Sequence, residues 1–352
     1  MAAMSAELYT SPAYLEALEA HGCVGPGTGW TPAHLRLAGG AHAPCYRKSH
    51  SWGEFVFDFA IARAYAARGL AYYPKLVCCV PFTPVPGRRL LADDESAAHA
   101  LADALIEQVR HQAASGIHVL FSTAAEVQML EARGWLPGQQ LRYRWSNRGY
   151  VSFDHFLDAL SAKRRKNIRR ERRLVAALGL RIDWRTAATL SDDEWARVYA
   201  LYANTYHERG QAPYLTLGCL RTWAERCGER MLLCTATRDA DIVAMAYFFR
   251  DDETLYGRHW GSATRDELLH FELCYYQGID HAIRHGLSHF DAGVQGDHKL
   301  LRGFEPVRDH SAHWFAHRGF HEAVGRYYAQ ERAALDARIA ALAQHGAYRS
   351  PP

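Results

Sequence analysis

Apolar positions along this chain follow two periods. Spacing at i, i+3, i+4 and i+7 marks helices, and alternating or continuous short runs mark strands. Residues 12–21 follow Ser11 and read as a short helix, with Pro12 in its first turn. GCVGPGTGWTP is a loop, and AHLRL and APCYRKSH flank AGGAH as a hairpin. Residues 54–68 read as a helix closed by Gly69, YYPKLVCCVPF as a buried strand, and 95–114 as an amphipathic helix. GIHVLF is a strand, TAAEVQMLEARGW a helix and QQLRYRWS a strand. The pattern pauses over 147–152.

The second half opens on a helical run, 153–178, then a strand, RIDWRT. SDDEWARVYALYANTYH begins with Ser191 and Glu194 at capping-box spacing. MLLCTAT, DIVAMAYFFR and ETLYGRHWGS read as three strands. LLHFELCYYQGIDHAIRHG is a helix ending at Gly286, LSHFDAG and DHSAHWF are strands, and 320–345 is a long final helix. The halves echo each other: FVFDFAIARAYAARGLAYYPKL and HFELCYYQGIDHAIRHGLSHFDAG share a helix, glycine, strand order. This predicts two α/β domains of one kind, 1–150 and 151–352. Hairpins supply antiparallel pairs and helical crossovers parallel ones, so both sheets should be mixed.

Composition narrows the class. The 352 residues are 49% apolar and 22% charged, ordinary values for a globular chain, which excludes a disordered or fibrous one. No apolar run nears the ~18–20 residues of a bilayer span. The N-terminal stretch lacks a basic segment and carries Glu7, Glu16 and Glu19, so a cytoplasmic protein is expected. Eight cysteines without a C-x-x-C pair read as reduced, buried thiols.

Charge is unevenly placed. Residues 161–173 hold eight cations and one glutamate, a local +7 that leaves the rest at −4 within a net +3. Like charges this dense repel unless an anion is near. Lys163, Arg164, Lys166, Arg169 and Arg170 are therefore candidate phosphate contacts, for RNA, a nucleotide diphosphate or coenzyme A; a solvated helix face is the plain alternative. Only five lysines occur, Lys48, Lys75, Lys163, Lys166 and Lys299. In a chain this rich in arginine, a retained lysine points to a place for a compact ammonium.

The densest chemistry lies between Phe290 and Pro306. A short strand ends in glycines, and Asp297, His298, Lys299 and Arg302 follow. Ligands bind at strand ends of α/β sheets. An ammonium there can stabilise an oxyanion, and a histidine can take a proton near neutral pH. The twenty histidines include His281 and His285 at i, i+4 and the group His310, His313, His317 and His321, but neither has metal-site spacing, and no metal is expected. Arg36 to Ala41 fits an R-x-x-G-x-A phosphate loop, but sits in a hairpin turn rather than opening a helix, and is set aside.

SHSWGEFVFDFA (49–60), YYPKLVCCVPFTPVPGRRLL (72–91), LSAKRRKNIRRERR (160–173), LYGRHWGS (255–262), LLHFELCYYQGIDHAI (268–283) and QGDHKLLRGFEPV (295–307) together resemble the FemAB-like branch of the GNAT acyltransferase superfamily, the peptidoglycan biosynthesis/recognition type. The likeness spans about 10 to 330. It implies tandem GNAT-like domains and amide-bond formation. Fem-type transferases draw on aminoacyl-tRNA, other GNAT enzymes on acyl-CoA; either is a co-substrate, and no resident cofactor is implied. Fem-type enzymes carry Asp-x-Gly at a strand end and then F-K-x-x-F. Asp291, Ala292 and Gly293 match the first; Lys299 and Phe304 match the second loosely, with His298 in place of the first Phe.

The expected catalytic set is thus Lys299, His298 and Asp291. Glu272, His270, Arg258, Tyr275, Gln295 and Arg302 are expected to bind substrate, with Glu54 and Lys75 in an interdomain cleft. The acceptor is a small amine or a peptide, tRNA is the favoured donor carrier, and neither DNA nor a membrane span is expected. The alternative is a degenerate GNAT pair that binds a cell-wall precursor or RNA without chemistry.

Overall fold

The computed structural model describes residues 8–264, 266–294 and 296–349. In chain order the elements are α1 (Pro12–Ala20), β1 (Trp30–Pro32), β2 (Leu35–Arg36), β3 (His42–Ala43), β4 (Cys45–Lys48), α2 (Phe59–Ala66), β5 (Lys75–Cys78), α3 (Glu95–His111), β6 (Gly116–Ser122), α4 (Ala124–Ala132) and β7 (Leu136–Ser146). Then come α5 (Phe153–Ala159), α6 (Ala162–Ala176), β8 (Arg181–Thr186), α7 (Asp192–His207), α8 (Leu217–Cys227), β9 (Met231–Arg238), β10 (Asp241–Arg250) and β11 (Thr254–Ser262). The last are α9 (Glu267–Phe271), a π-helical turn (Glu272–Tyr276), α10 (Gln277–Arg284), β12 (His289–Asp291), a 3-10 turn (Asp297–Arg302), β13 (Glu305–Phe315) and α11 (Arg318–Ala343).

The chain forms two units, Met1–Leu141 with Arg308–Arg338, and Arg142–Val307 with Ile339–Pro352. The crossing lies within β7, ahead of the expected boundary at 150. The segment from Arg308 to Arg338 returns to unit 1, where a single 151–352 domain had been expected. Strand pairing explains the return: β13 is antiparallel to β6, with Ala312 opposite Val119 and Phe315 opposite Gly116.

Unit 1 has the strand order β1-β4-β5-β6-β13, parallel between β5 and β6 and antiparallel elsewhere. α3 presents Leu101, Leu105 and Val109 to Leu76, Ile117 and Val119 of β5 and β6. Unit 2 has the order β7-β12-β11-β10-β9-β8, with β11 and β12 the parallel pair. The mixed strand order within each unit agrees with the expectation of two mixed α/β domains. The capping box at Ser191 and Glu194 opens α7 as read.

Three expectations were too regular. The run 153–178 is two helices, because Leu160 and Ser161 are extended and Leu160 is fully buried. The helix over 54–68 begins only at Phe59: Glu54 and Asp58 are bound to Lys75, and Phe55 sits at positive φ. The tight hairpin is β2 with β3, while β4 pairs with β1 and β5.

Gly261 of β11 lies against the main chain of α7. A Cβ there would fall 2.3 Å from Leu201 O and 2.9 Å from Tyr202 N. Backbone atoms of a packed helix yield only by moving the helix, so Gly261→Ala is expected to destabilise by about 1–3 kcal/mol. Urea unfolding with an unchanged midpoint would contradict this close packing.

Candidate active site

β11 and β12 run side by side only from Thr254–Tyr256 to His289–Asp291. β12 then ends, while β11 continues to Ser262 and carries a bulge, since Phe248 faces Gly257 and Tyr247 faces His259. Arg258 is the extra residue of the bulge. The divergence leaves a cavity of about 110 Å³, lined among others by Arg258, Trp260, His270, Cys274, Tyr275 and Ala292.

Its floor is the end of β12. Asp291 is buried, accepts from Arg142 Nη1 at 2.5 Å and from the Gly293 amide at 2.8 Å. Lys299, 2% exposed, donates to Ala292 O at 2.7 Å and Gly293 O at 2.9 Å. An ammonium has three donors, and among the described residues the third has no partner. Burial pulls this ammonium down to about 8, although Asp291 pulls the other way. The 3-10 turn bearing Lys299 stops at Gly303, at φ 90, where a Cβ would strike the Phe156 ring at 2.8 Å.

His298 is half-buried, and its Nε2 lies 2.8 Å from the Tyr275 hydroxyl. Burial, then Arg302 and Lys299, push its imidazolium below the usual range. His270 is lowered to about 4 by burial and by His298, Lys299 and Arg302. Both rings are therefore neutral proton acceptors near neutral pH. Burial raises the Cys274 thiol, which makes it a poor nucleophile.

Several expected roles change. Asp291 has both oxygens occupied, by Arg142 and an amide, which fits holding the strand end rather than taking a proton. Glu272 is 3% exposed and faces α6, accepting from Arg172 Nη2 at 3.0 Å and Gln277 Nε2 at 2.9 Å; it does not reach the cavity. Arg302 is likewise committed: it donates to Tyr276 OH at 2.9 Å, His298 O at 3.0 Å and Glu171 at 3.1 Å, and lies over the Phe271 ring. Gln295 lies outside the described residues. Glu54 and Lys75 belong to unit 1, bonded to each other at 2.7 Å with no solvent exposure at the Lys75 ammonium. Full burial inside their own unit, not a cleft, is what the structure gives them.

Glu171 and Arg172 stand within the basic run, where the sequence shows net charge and not the partner of each side chain. A signal existed: Ile168 and Val175 are the buried positions of α6, and 171 and 172 fall on the same face at i+3 and i+4. The π-turn at Glu272–Tyr276 replaces an expected regular helix. Such turns recur at functional sites; this one carries Glu272 and Tyr276 to α6 and Tyr275 to the cavity.

On α6, Lys163, Lys166, Arg169 and Arg170 are exposed and Arg164 half-buried. Arg169 pairs with Asp154 at 3.2 Å. His281 packs its ring against Trp184 and His285, and three of the later histidines have polar partners. His313 bonds His118 at 2.9 Å, and His317 and His321 accept main-chain amides near the start of α11. Among the described residues no helix is long and apolar enough to cross a membrane.

Solved structures share this fold. FemX aligns at a TM-score of 0.54 with 11% identity, over 92% of this chain and 95% of its own. L-PGS from Bacillus licheniformis aligns at 0.53 with 10% identity, over 90% and 96%. A conserved protein of unknown function from Bacteroides thetaiotaomicron aligns at 0.51 with 12% identity, over 89% and 93%. No curated protein matches by sequence. Residues 2–350 match a family described as peptidoglycan biosynthesis/recognition, and this chain belongs to that FemAB-like family.

Proposed function

We propose that this protein is an N-acyltransferase that moves an activated acyl or aminoacyl group to an amine. The observation that carries the reading is that His270, Tyr275 and Ala292 of the Lys299-held strand end line one cavity, with His298 bonded to the Tyr275 hydroxyl. The amine nitrogen attacks the donor carbonyl, and its proton passes to neutral His298, directly or through the Tyr275 hydroxyl. The tetrahedral oxyanion is stabilised by the free donor of Lys299. Collapse forms the amide and expels the donor's alcohol or thiol, which takes the proton back. Arg258 and His270 border the space for the acceptor.

The basic outer face of α6 favours aminoacyl-tRNA as donor, with acyl-CoA next. A cell-wall precursor amine is the acceptor that the family description favours. A second reading, binding without chemistry, draws on the commitment of Lys299 to two carbonyls and of Glu272 to Arg172. One experiment separates them: product formation with a panel of charged tRNAs and acyl-CoAs against small amines and peptides. Amide product from one donor class supports transfer. Binding of the same compounds with no product from any supports the second reading.

A further inference from the structure

A groove of about 500 Å³ runs between α5 and α6 in unit 2, apart from the cavity beside β11. Its apolar side is Phe153 and Leu157, and its other side is basic, with Lys166, Arg169, Arg172 and Arg173. These cations serve different ends. Arg172 is fixed: it sits 4.5 Å over the Phe153 ring and is gripped by both oxygens of Glu272, at 3.0–3.2 Å. Its planar guanidinium is thereby preorganised while still lining the groove. Lys166 and Arg173 are exposed and, among the described residues, have no acidic partner. They stand at i and i+7, with Arg169 between them, so all three share one helix face.

An apolar floor, a flat cation held against an aromatic ring and unpaired cations on one rim form a composite site. Inorganic phosphate would use only the rim. An apolar ligand would leave the rim's charges unanswered. A nucleotide uses both, because a base stacks on guanidinium planes and its phosphate pairs with the rim. We propose that the α5/α6 groove is a nucleotide-binding site, with Arg172 stacking the base and Lys166 and Arg173 holding the phosphate.

This inference rests on the acyltransferase reading for its purpose. A nucleotide phosphate is the chemistry that RNA and coenzyme A share, so the groove would seat the nucleotide part of the donor. It also links donor and site. Glu272, which grips Arg172, opens the π-turn that carries Tyr275 to His298.

The test is calorimetry on the full chain with adenosine 5′-phosphate, adenosine and inorganic phosphate. Stacking predicts that the nucleotide binds roughly 5- to 100-fold tighter than phosphate. The pair Lys166→Ala and Arg173→Ala should weaken nucleotide binding at least about tenfold more than the outward pair Lys163→Ala and Arg170→Ala. Arg172→Lys should remove the advantage of nucleotide over phosphate, since an ammonium has no plane. Equal binding of phosphate and nucleotide, equal loss in both pairs, or no binding of the nucleotide would overturn the site.

Competition then identifies the source. Displacement by adenosine 3′,5′-bisphosphate below the concentration of a short adenosine-ended RNA indicates coenzyme A, and the reverse order indicates RNA. Calorimetry needs no turnover, so the two readings fail separately. Nucleotide binding without product leaves the groove standing and removes acyl transfer. Product formation with no nucleotide in the groove does the opposite.

Discussion

Replacing Lys299 by methionine is expected to lower turnover about 100- to 1,000-fold. Methionine keeps the length of the side chain and removes the one ammonium beneath the cavity. Two of its donors hold Ala292 O and Gly293 O, and the third serves the oxyanion. Releasing the two carbonyls also costs stability, about 1–3 kcal/mol for each that stays unpaired, so urea unfolding must accompany the kinetics. The pH profile of the unaltered enzyme gives a test that avoids the mutation. Only the protonated amine donates, and burial places its titration at about 8. Turnover should therefore fall as pH rises through about 8. A rise through that range would instead make Lys299 a base and refute the oxyanion role. Lys299→Arg should recover only part of the activity, because a planar fork cannot occupy the position of a compact ammonium. A folded methionine variant with full turnover would shift the chemistry to His298.

Much of the fold was legible because local signals agreed with it. The capping box of α7, the strands β9 to β11 and the glycine-closed helices all carry their cause within a few residues. α8 went unread although Leu220, Trp223, Ala224 and Cys227 keep the helical period and are all buried. The break at Leu160 and Ser161 was hidden, since nothing local forbids a helix there; Ser161 instead donates its amide to Ala347 O, far along the chain. In the site, Lys299, His298 and Arg302 were legible because one short loop carries them. Their partners were not. Arg142 and Asp291 lie 149 residues apart, and Arg172 and Glu272 lie 100 apart. A charge shows its type in the sequence but not the partner that neutralises it. The cavity was equally hidden, because it follows from where two strands cease to pair.

Unit 1 holds a second consequence of long-range pairing, and Lys75→Met should expose it with a loss of about 3–5 kcal/mol. The Lys75 ammonium donates to Glu54 at 2.7 Å, to Ser51 at 3.0 Å and to Asp58. Asp58 also accepts from Tyr72 OH at 2.5 Å, and Tyr72 lies 3.3 Å from His118 Nε2. Burial raises the Asp58 carboxyl, but attraction from Lys75 and His118 outweighs it and holds the group at about 2. Glu54 is raised to about 7, chiefly by burial, despite Lys75. The signs follow from linkage. In the native protein, Asp58 stabilises the fold above its ordinary 3.8, and that contribution fades as pH falls toward about 2. In Lys75→Met both carboxyls remain buried without the Lys75 ammonium, Lys48 standing 3.9 Å from Glu54 alone, so both titrate higher than when unfolded. Such groups cost stability when ionised and cease to do so once protonated. The deficit should therefore be largest near pH 7 and shrink as pH falls toward 4. Urea unfolding of both proteins across that range measures it. A deficit independent of pH would mean that lost packing, not unpaired charge, dominates. Adding Asp58→Asn to Lys75→Met should restore part of the stability at pH 7, since the amide removes one of the charges that the lysine had balanced.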